Sequence, residues 1–136
     1  MLPKVRSFSA AGLLTERPLG IGLAVAKYLV SQTHNVVVLA RSDGPLKDLE
    51  STHPRQVRTL AGDLSDFTLA PKSVELAVQE FGQLDGLVIN HGAMFGVNRI
   101  SDLDITDWQK MFDVNFFSAV AFVRRTIVAD SYAHNL

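Results

Sequence analysis

The residues best suited to chemistry fall in separate short clusters along the chain. Gly20-Ile21-Gly22 opens a helical stretch, where glycines would let a phosphate approach backbone N–H groups at the positive end of a helix. The same residues serve equally as a glycine-rich helix start. Arg41 ends an apolar run about twenty residues later, where an acidic side chain would hold the ribose 2′-hydroxyl of NAD. A guanidinium there instead matches the 2′-phosphate of NADP or stacks on adenine, so the residue favours NADP over NAD; without a ligand it is a solvated arginine in a loop. Asp63, in Gly62-Asp63-Leu64, is placed to accept a hydrogen bond from an adenine amino group, although an Asp in a turn needs no ligand to explain it. Asn90-His91-Gly92-Ala93 closes the apolar run Gly86-Leu87-Val88-Ile89 and has the form of a cofactor motif at a strand end. Asn115 stands on an apolar helix, where a polar side chain must find a partner.

The elements that must position these residues alternate between helix and strand. Gly20 to Ser31 has apolar residues at Ile21, Val25, Tyr28 and Leu29, a helical spacing, and Val36-Val37-Val38-Leu39 within Asn35 to Ala40 is a continuous run typical of a parallel strand buried on both faces. Gly44-Pro45 breaks the chain, Leu46 to Ser51 is a short helix, and Val57 to Ala61 is a strand ending at Gly62-Asp63. Pro71 suits the first turn of a helix whose apolar face is Val74, Ala77, Val78 and Phe81 and which Gly82 closes. Leu87 to Asn90 is the next strand. Thr106 and Gln109 form a capping box that opens a long helix with Trp108, Met111, Phe112, Phe116, Ala119 and Val123 on one face. Alternation of this kind predicts a doubly wound parallel α/β sheet, whose ligands bind beyond the carboxyl ends of the strands.

Composition sets the outer limits. A chain of 136 residues holds one domain, and its 47% hydrophobic and 20% charged content with net charge -1 gives no electrostatic reason to expect nucleic acid. It has no cysteine, which excludes disulfides and thiolate metal sites. His34, His53, His91 and His134 lack the spacing of a metal site. No apolar run reaches the roughly 18 to 20 residues of a membrane span. The basic and serine-bearing start (Lys4, Arg6, Ser7, Ser9, Arg17) is interrupted by Pro3, and the expected location is the cytoplasm. A signalling receiver of similar length would need an acidic cluster near the first strand, and none is present.

Together the clusters resemble the short-chain dehydrogenase/reductase family, from about Thr15 to about Arg124. Leu84-Asp85-Gly86-Leu87-Val88-Ile89-Asn90-His91-Gly92-Ala93 is similar to that family's strand ending in N-N-A-G, Gly62-Asp63-Leu64 to its adenine-binding segment, and Asp113-Val114-Asn115 to its N-V-N helix motif. The resemblance implies a Rossmann-like fold, a nicotinamide cofactor, and oxidoreduction of small carbonyl or alcohol substrates. It makes Gly20, Ile21, Gly22, Arg41, Asp63, Leu64, Asn90, His91 and Gly92 cofactor-binding residues. Asn115 becomes a catalytic residue in a water-linked proton relay; on the residues alone it is a helix Asn bonded to backbone.

Several positions depart from the pattern. The family's T-G-x-x-x-G-x-G becomes Thr15-Glu16-Arg17-Pro18-Leu19-Gly20-Ile21-Gly22, with a carboxylate for the first glycine and a Pro that removes an N–H donor. The segment for the first strand, Phe8-Ser9-Ala10-Ala11-Gly12-Leu13-Leu14, has poor strand propensity and is expected to leave the sheet centre unformed. The family's catalytic Ser and Tyr-x-x-x-Lys have no counterpart, because Tyr132 is followed by Leu136 at the Lys position. The expected organisation is an altered segment 1–14, a partial dinucleotide-binding domain 15–125 and a tail 126–136, as in a truncated or alternatively spliced member. Such a chain would be catalytically inactive alone. It would bind nucleotide or associate with itself or a relative through the Val88 strand edge and the Phe112, Phe116, Phe117 and Phe122 surface.

Overall fold

Every residue from Val36 to Ala40 is 3% exposed or less, a burial that a strand reaches only with helices over both faces. The computed structural model describes residues 7–12, 20–41, 44–94 and 99–133. Thr15 to Leu19, including Glu16 and Pro18, lie outside the described residues, as do Ser42, His134 and Leu136; only the helical backbone of Tyr132 is described. Four strands, β1 (Ser7–Gly12), β2 (Asn35–Ala40), β3 (Val57–Ala61) and β4 (Gly86–Asn90), form a wholly parallel sheet in the order β3-β2-β1-β4. Alternate residues of β2 serve the two layers. Val36, Val38 and Ala40 meet Leu23, Ala26 and Val30 of α1 (Ile21–Ser31) and Leu46 and Leu49 of α2 (Gly44–Thr52). Leu39 meets Leu69 and Ala70 of α3 (Leu69–Phe81) and, further along the chain, Phe122. The architecture is the doubly wound α/β sheet that the alternation predicts.

The expectation of an unformed first strand is corrected. β1 is one of the two inner strands, matching Phe8 through Ala11 with Val36 through Leu39 on one side and Phe8 through Gly12 with Gly86 through Asn90 on the other. A central strand has ladder bonds on both edges, and that context overrides the weak propensity of Ser-Phe-Ser-Ala-Ala-Gly.

The helices keep their predicted places but not all their predicted faces. In α1 the inward stripe is Gly22, Leu23, Ala26 and Val30, while Ile21 and Tyr28 are exposed. Small residues at 22 and 26 let the helix approach the sheet, which selects a stripe offset from the bulkier one. Gly82 ends α3 as expected, in the left-handed region at φ 84° with its N–H on Val78 O at 2.9 Å. Val78 on the predicted face is exposed.

The last helical region begins at α4 (Ile105–Phe112), which continues through a π-helical turn (Asp113–Phe117) into α5 (Ser118–Ala133). Its cap is Asp104, whose carboxylate accepts from Thr106 N at 2.9 Å, and not the expected Thr106/Gln109 box. Asp104 has the extended backbone of an N-cap and the helix starts one residue before Thr106, so the nearer acceptor takes the orphan donor. The Thr106 backbone bond holds the Asp104 carboxyl below its ordinary pKa. A depressed folded pKa means that the contribution is present above the unfolded value and lost as pH falls through the folded one. The Thr106 amide resonance should therefore shift in acid with a midpoint below the ordinary Asp value of about 3.9. Asp104→Asn, which keeps an acceptor, should abolish that titration; a midpoint at or above the ordinary value would show that the cap is not made.

Candidate functional site

Parallel pairing carries the four strand ends to one rim. Gly12 lies opposite Asn90 and Ala40 opposite Ala61, and Gly62 N–H donates to Ala40 O at 3.0 Å. Arg41, Asp63 and Asn90-His91-Gly92 leave the sheet along this rim, and α1 starts there because it follows β1. The glycines, the arginine, the aspartate and the β4 motif, remote in sequence, are thus brought to one edge. Leu64 also follows β3, but its side chain is buried in the core.

The local conformations show what each position offers. Gly20 is extended, at φ -87° and ψ 149°, and its carbonyl accepts the Ala24 N–H at 3.2 Å. The following N–H groups of the first turn have no acceptor within the helix, and that turn has no acidic side chain to repel an anion. Arg41 is exposed. Asp63 Oδ1 accepts from Ser65 N at 3.0 Å, the turn contact that the sequence alone suggests, and a carboxylate accepts further bonds. Gly62 cannot carry a side chain without displacing Leu69, whose Cδ1 would lie 2.6 Å from an added Cβ. Among the described residues no group of three or more His, Asp or Glu could hold a metal ion. No helix is long and apolar enough to cross a membrane among those residues.

Asn115 is bonded to backbone, but not to that of its own helix. Its Nδ2 donates to Ala93 O and its Oδ1 accepts from Ala93 N, both at 2.7 Å. The amide thereby clasps the segment after β4 from both polar sides. An added Cβ on Gly92 would lie 3.4 Å from Asn115 Oδ1, in van der Waals contact. The His91 ring meets the last helical region: its Nε2 lies 2.6 Å from Ser118 Oγ and its centroid 6.4 Å from that of Phe122. Ser118, wholly buried, is absent from the sequence-derived set. The signal that singled out Asn115, a polar side chain on an apolar helix, applied three residues later as well.

The π-helical turn also moves the apolar face. Val114, Ser118 and Phe122 point inward, at 7%, 0% and 2% exposure. Phe122, expected on the uncovered surface, is therefore core. One extra residue in the turn shifts the helical phase, which the spacing from Trp108 onward does not anticipate. Phe112, Phe116 and Phe117 are about half exposed, as expected. An open apolar groove of about 500 Å³ runs along Phe116, Ala119, Val120, Val123, Arg124 and Ile127. β4 ends the sheet beside this helix.

Known proteins share the sequence pattern and the fold of this chain. The short chain dehydrogenase family pattern matches residues 13–130. An oxidoreductase of Schizosaccharomyces pombe is 38% identical over 116 residues, which are 85% of this chain and 46% of the relative. The benzil reductase ((S)-benzoin forming) of Saccharomyces cerevisiae is 34% identical over 120 residues, 82% of this chain and 45% of the relative. A crystal structure of a short chain dehydrogenase/reductase from Saccharomyces cerevisiae superposes with a TM-score of 0.82 at 28% identity, covering 91% of this chain and 48% of that one. The chain spans about half the length of the curated relatives it matches.

Proposed function

We propose a function that starts from one fact: this chain belongs to the short-chain dehydrogenase family. The reading is that it forms the dinucleotide-holding part of an NADP(H)-dependent oxidoreductase acting on small carbonyls or alcohols. One observation carries it, the gathering of a helix start, a guanidinium, a carboxylate and the β4 motif on one rim. The arrangement fits the group: unpaired N–H donors suit a pyrophosphate, and a cation at the end of β2 suits a 2′-phosphate. Bound there, the dinucleotide supplies or accepts a hydride. Gly20, Ile21 and Gly22 hold phosphate through backbone N–H groups. Arg41 pairs with the 2′-phosphate, and Asp63 accepts from the adenine amino group beside the Leu64 backbone. Asn90, His91 and Gly92 would contribute main chain to the nicotinamide part of the site, and Asn115 would serve a proton relay. The name of the yeast benzil reductase supports a carbonyl substrate. The proposed compartment is the cytoplasm.

Arg41 provides the discriminating test. Titration of the purified chain should show saturable NADPH binding that is tighter than NADH binding. Arg41→Ala should weaken NADPH about 10- to 100-fold, the loss of a charged hydrogen-bonded contact, while leaving NADH nearly unchanged. Equal affinity for the two dinucleotides, or an Arg41→Ala loss shared by both, would overturn the NADP assignment.

A second reading has its own support. Phe116, Val120, Val123 and Ile127 line an apolar groove, and Phe112 and Phe117 are exposed as well. On that reading the chain is a catalytically inactive module that pairs through this face with a second copy or a longer relative.

A further inference from the structure

The π-helical turn redirects one backbone bond. In an α-helix the Ser118 N–H would meet Val114 O; in this chain it reaches Asp113 O. The buried Ser118 hydroxyl substitutes for it and donates to Val114 O at 2.6 Å. A hydroxyl has a single proton. With that proton directed at Val114, Ser118 Oγ faces His91 as an acceptor, and the 2.6 Å contact requires His91 Nε2 to carry hydrogen. A polar line therefore runs from the end of β4 through imidazole and hydroxyl to a carbonyl inside the turn. Two residues beyond His91, Ala93 meets the same turn through the two Asn115 bonds.

The geometry points to His91 and Ser118 as a positioning pair: the Nε2–H and the hydroxyl hold the π-helical turn in the register that aims Asn115 at both polar atoms of Ala93. Neither side chain touches reacting atoms in this role. Without the hydroxyl, Val114 O loses this donor and Nε2–H loses this acceptor in a buried setting, where an unmade bond is costly. Ordinary helical pairing, with Ser118 N–H returned to Val114 O, is then favoured and moves Asn115 off Ala93. That Ala93 borders a dinucleotide rests on the proposed function; that this pair holds it does not.

The test uses the isotope-labelled whole chain without cofactor, at about pH 8, above the ordinary imidazole range. Imidazole nitrogen resonances should show His91 neutral with its proton on Nε2, and the Ala93 amide should exchange slowly. Ser118→Ala should remove the tautomer bias and speed Ala93 exchange about tenfold, the scale of one buried hydrogen bond, with the Val38 amide of β2 unchanged. Ser118→Thr, which keeps a hydroxyl, should restore both signals. His91→Gln, which keeps an N–H of similar reach, should retain the Ala93 protection that His91→Phe loses. An Nδ1–H tautomer in the unsubstituted chain overturns the inference, as does Ala93 exchange that rises only in step with Val38. Should Ser118→Ala fail to fold, equal exchange in the two His91 variants overturns it as well. A chain that gives both signals yet binds no NADPH counts against the dinucleotide and leaves the pair standing.

Discussion

Phe122→Ala should destabilise the chain by about 3–5 kcal/mol, the usual cost of emptying a buried aromatic site. Phe122 is 2% exposed and shares a cluster with Leu39 of β2, Leu64 after β3, and Leu69 and Ala70 of α3. Among the described side chains of α5 it is the buried large apolar one, so truncation leaves a cavity bounded by three different segments. A domain with a typical stability of about 5–15 kcal/mol loses a large fraction of it by this change. The His91 ring beside Phe122 loses a neighbour too, which links this core position to the rim. Chemical denaturation followed by far-UV circular dichroism measures the effect. Val123→Ala, one residue on and 42% exposed, should shift stability by no more than about 1 kcal/mol. Similar losses from both substitutions would show that Phe122 is not the anchor of α5.

The contrast between Phe122 and its neighbours shows which parts of the structure were legible in the sequence. β2, β4 and α3 could be read because their signals are local: a continuous apolar run, a run ending in Asn90, and a helix stopped by a glycine that needs a left-handed conformation. β1 could not. Its residues do not favour a strand, and pairing comes from β2 and β4, whose contacts are distant in sequence. The rim was legible for the same reason as the alternation, since parallel strands place their ends together whatever the side chains are. The π-helical turn was hidden, because no residue type marks the insertion of one extra position into a helix. From that one feature follow the burial of Phe122 and the meeting of Ser118 with His91. Asn115 was legible as a polar residue that needed a partner, but the partner, Ala93, belongs to tertiary structure.

Val120→Glu should abolish self-association if the groove on α5 is a pairing surface. Val120 is 48% exposed and lines that groove with Phe116, Val123 and Ile127. In the single chain the new carboxylate stays in water, and a surface change of this kind alters stability by about 0.5 kcal/mol or less. In a pair it would enter an apolar interface, where an uncompensated buried charge costs about 3–5 kcal/mol, so the dissociation constant should rise at least about 100-fold. The two substitutions thus separate in their readouts: Phe122→Ala lowers the denaturation midpoint, whereas Val120→Glu leaves it in place and changes mass in solution. Sedimentation velocity across a concentration series measures the second effect. A native chain that stays monomeric throughout, or a Val120→Glu chain that associates as strongly as the native one, would rule out pairing through α5. The apolar face would then stand as a property of the separate chain and not as the basis of a module that works by association.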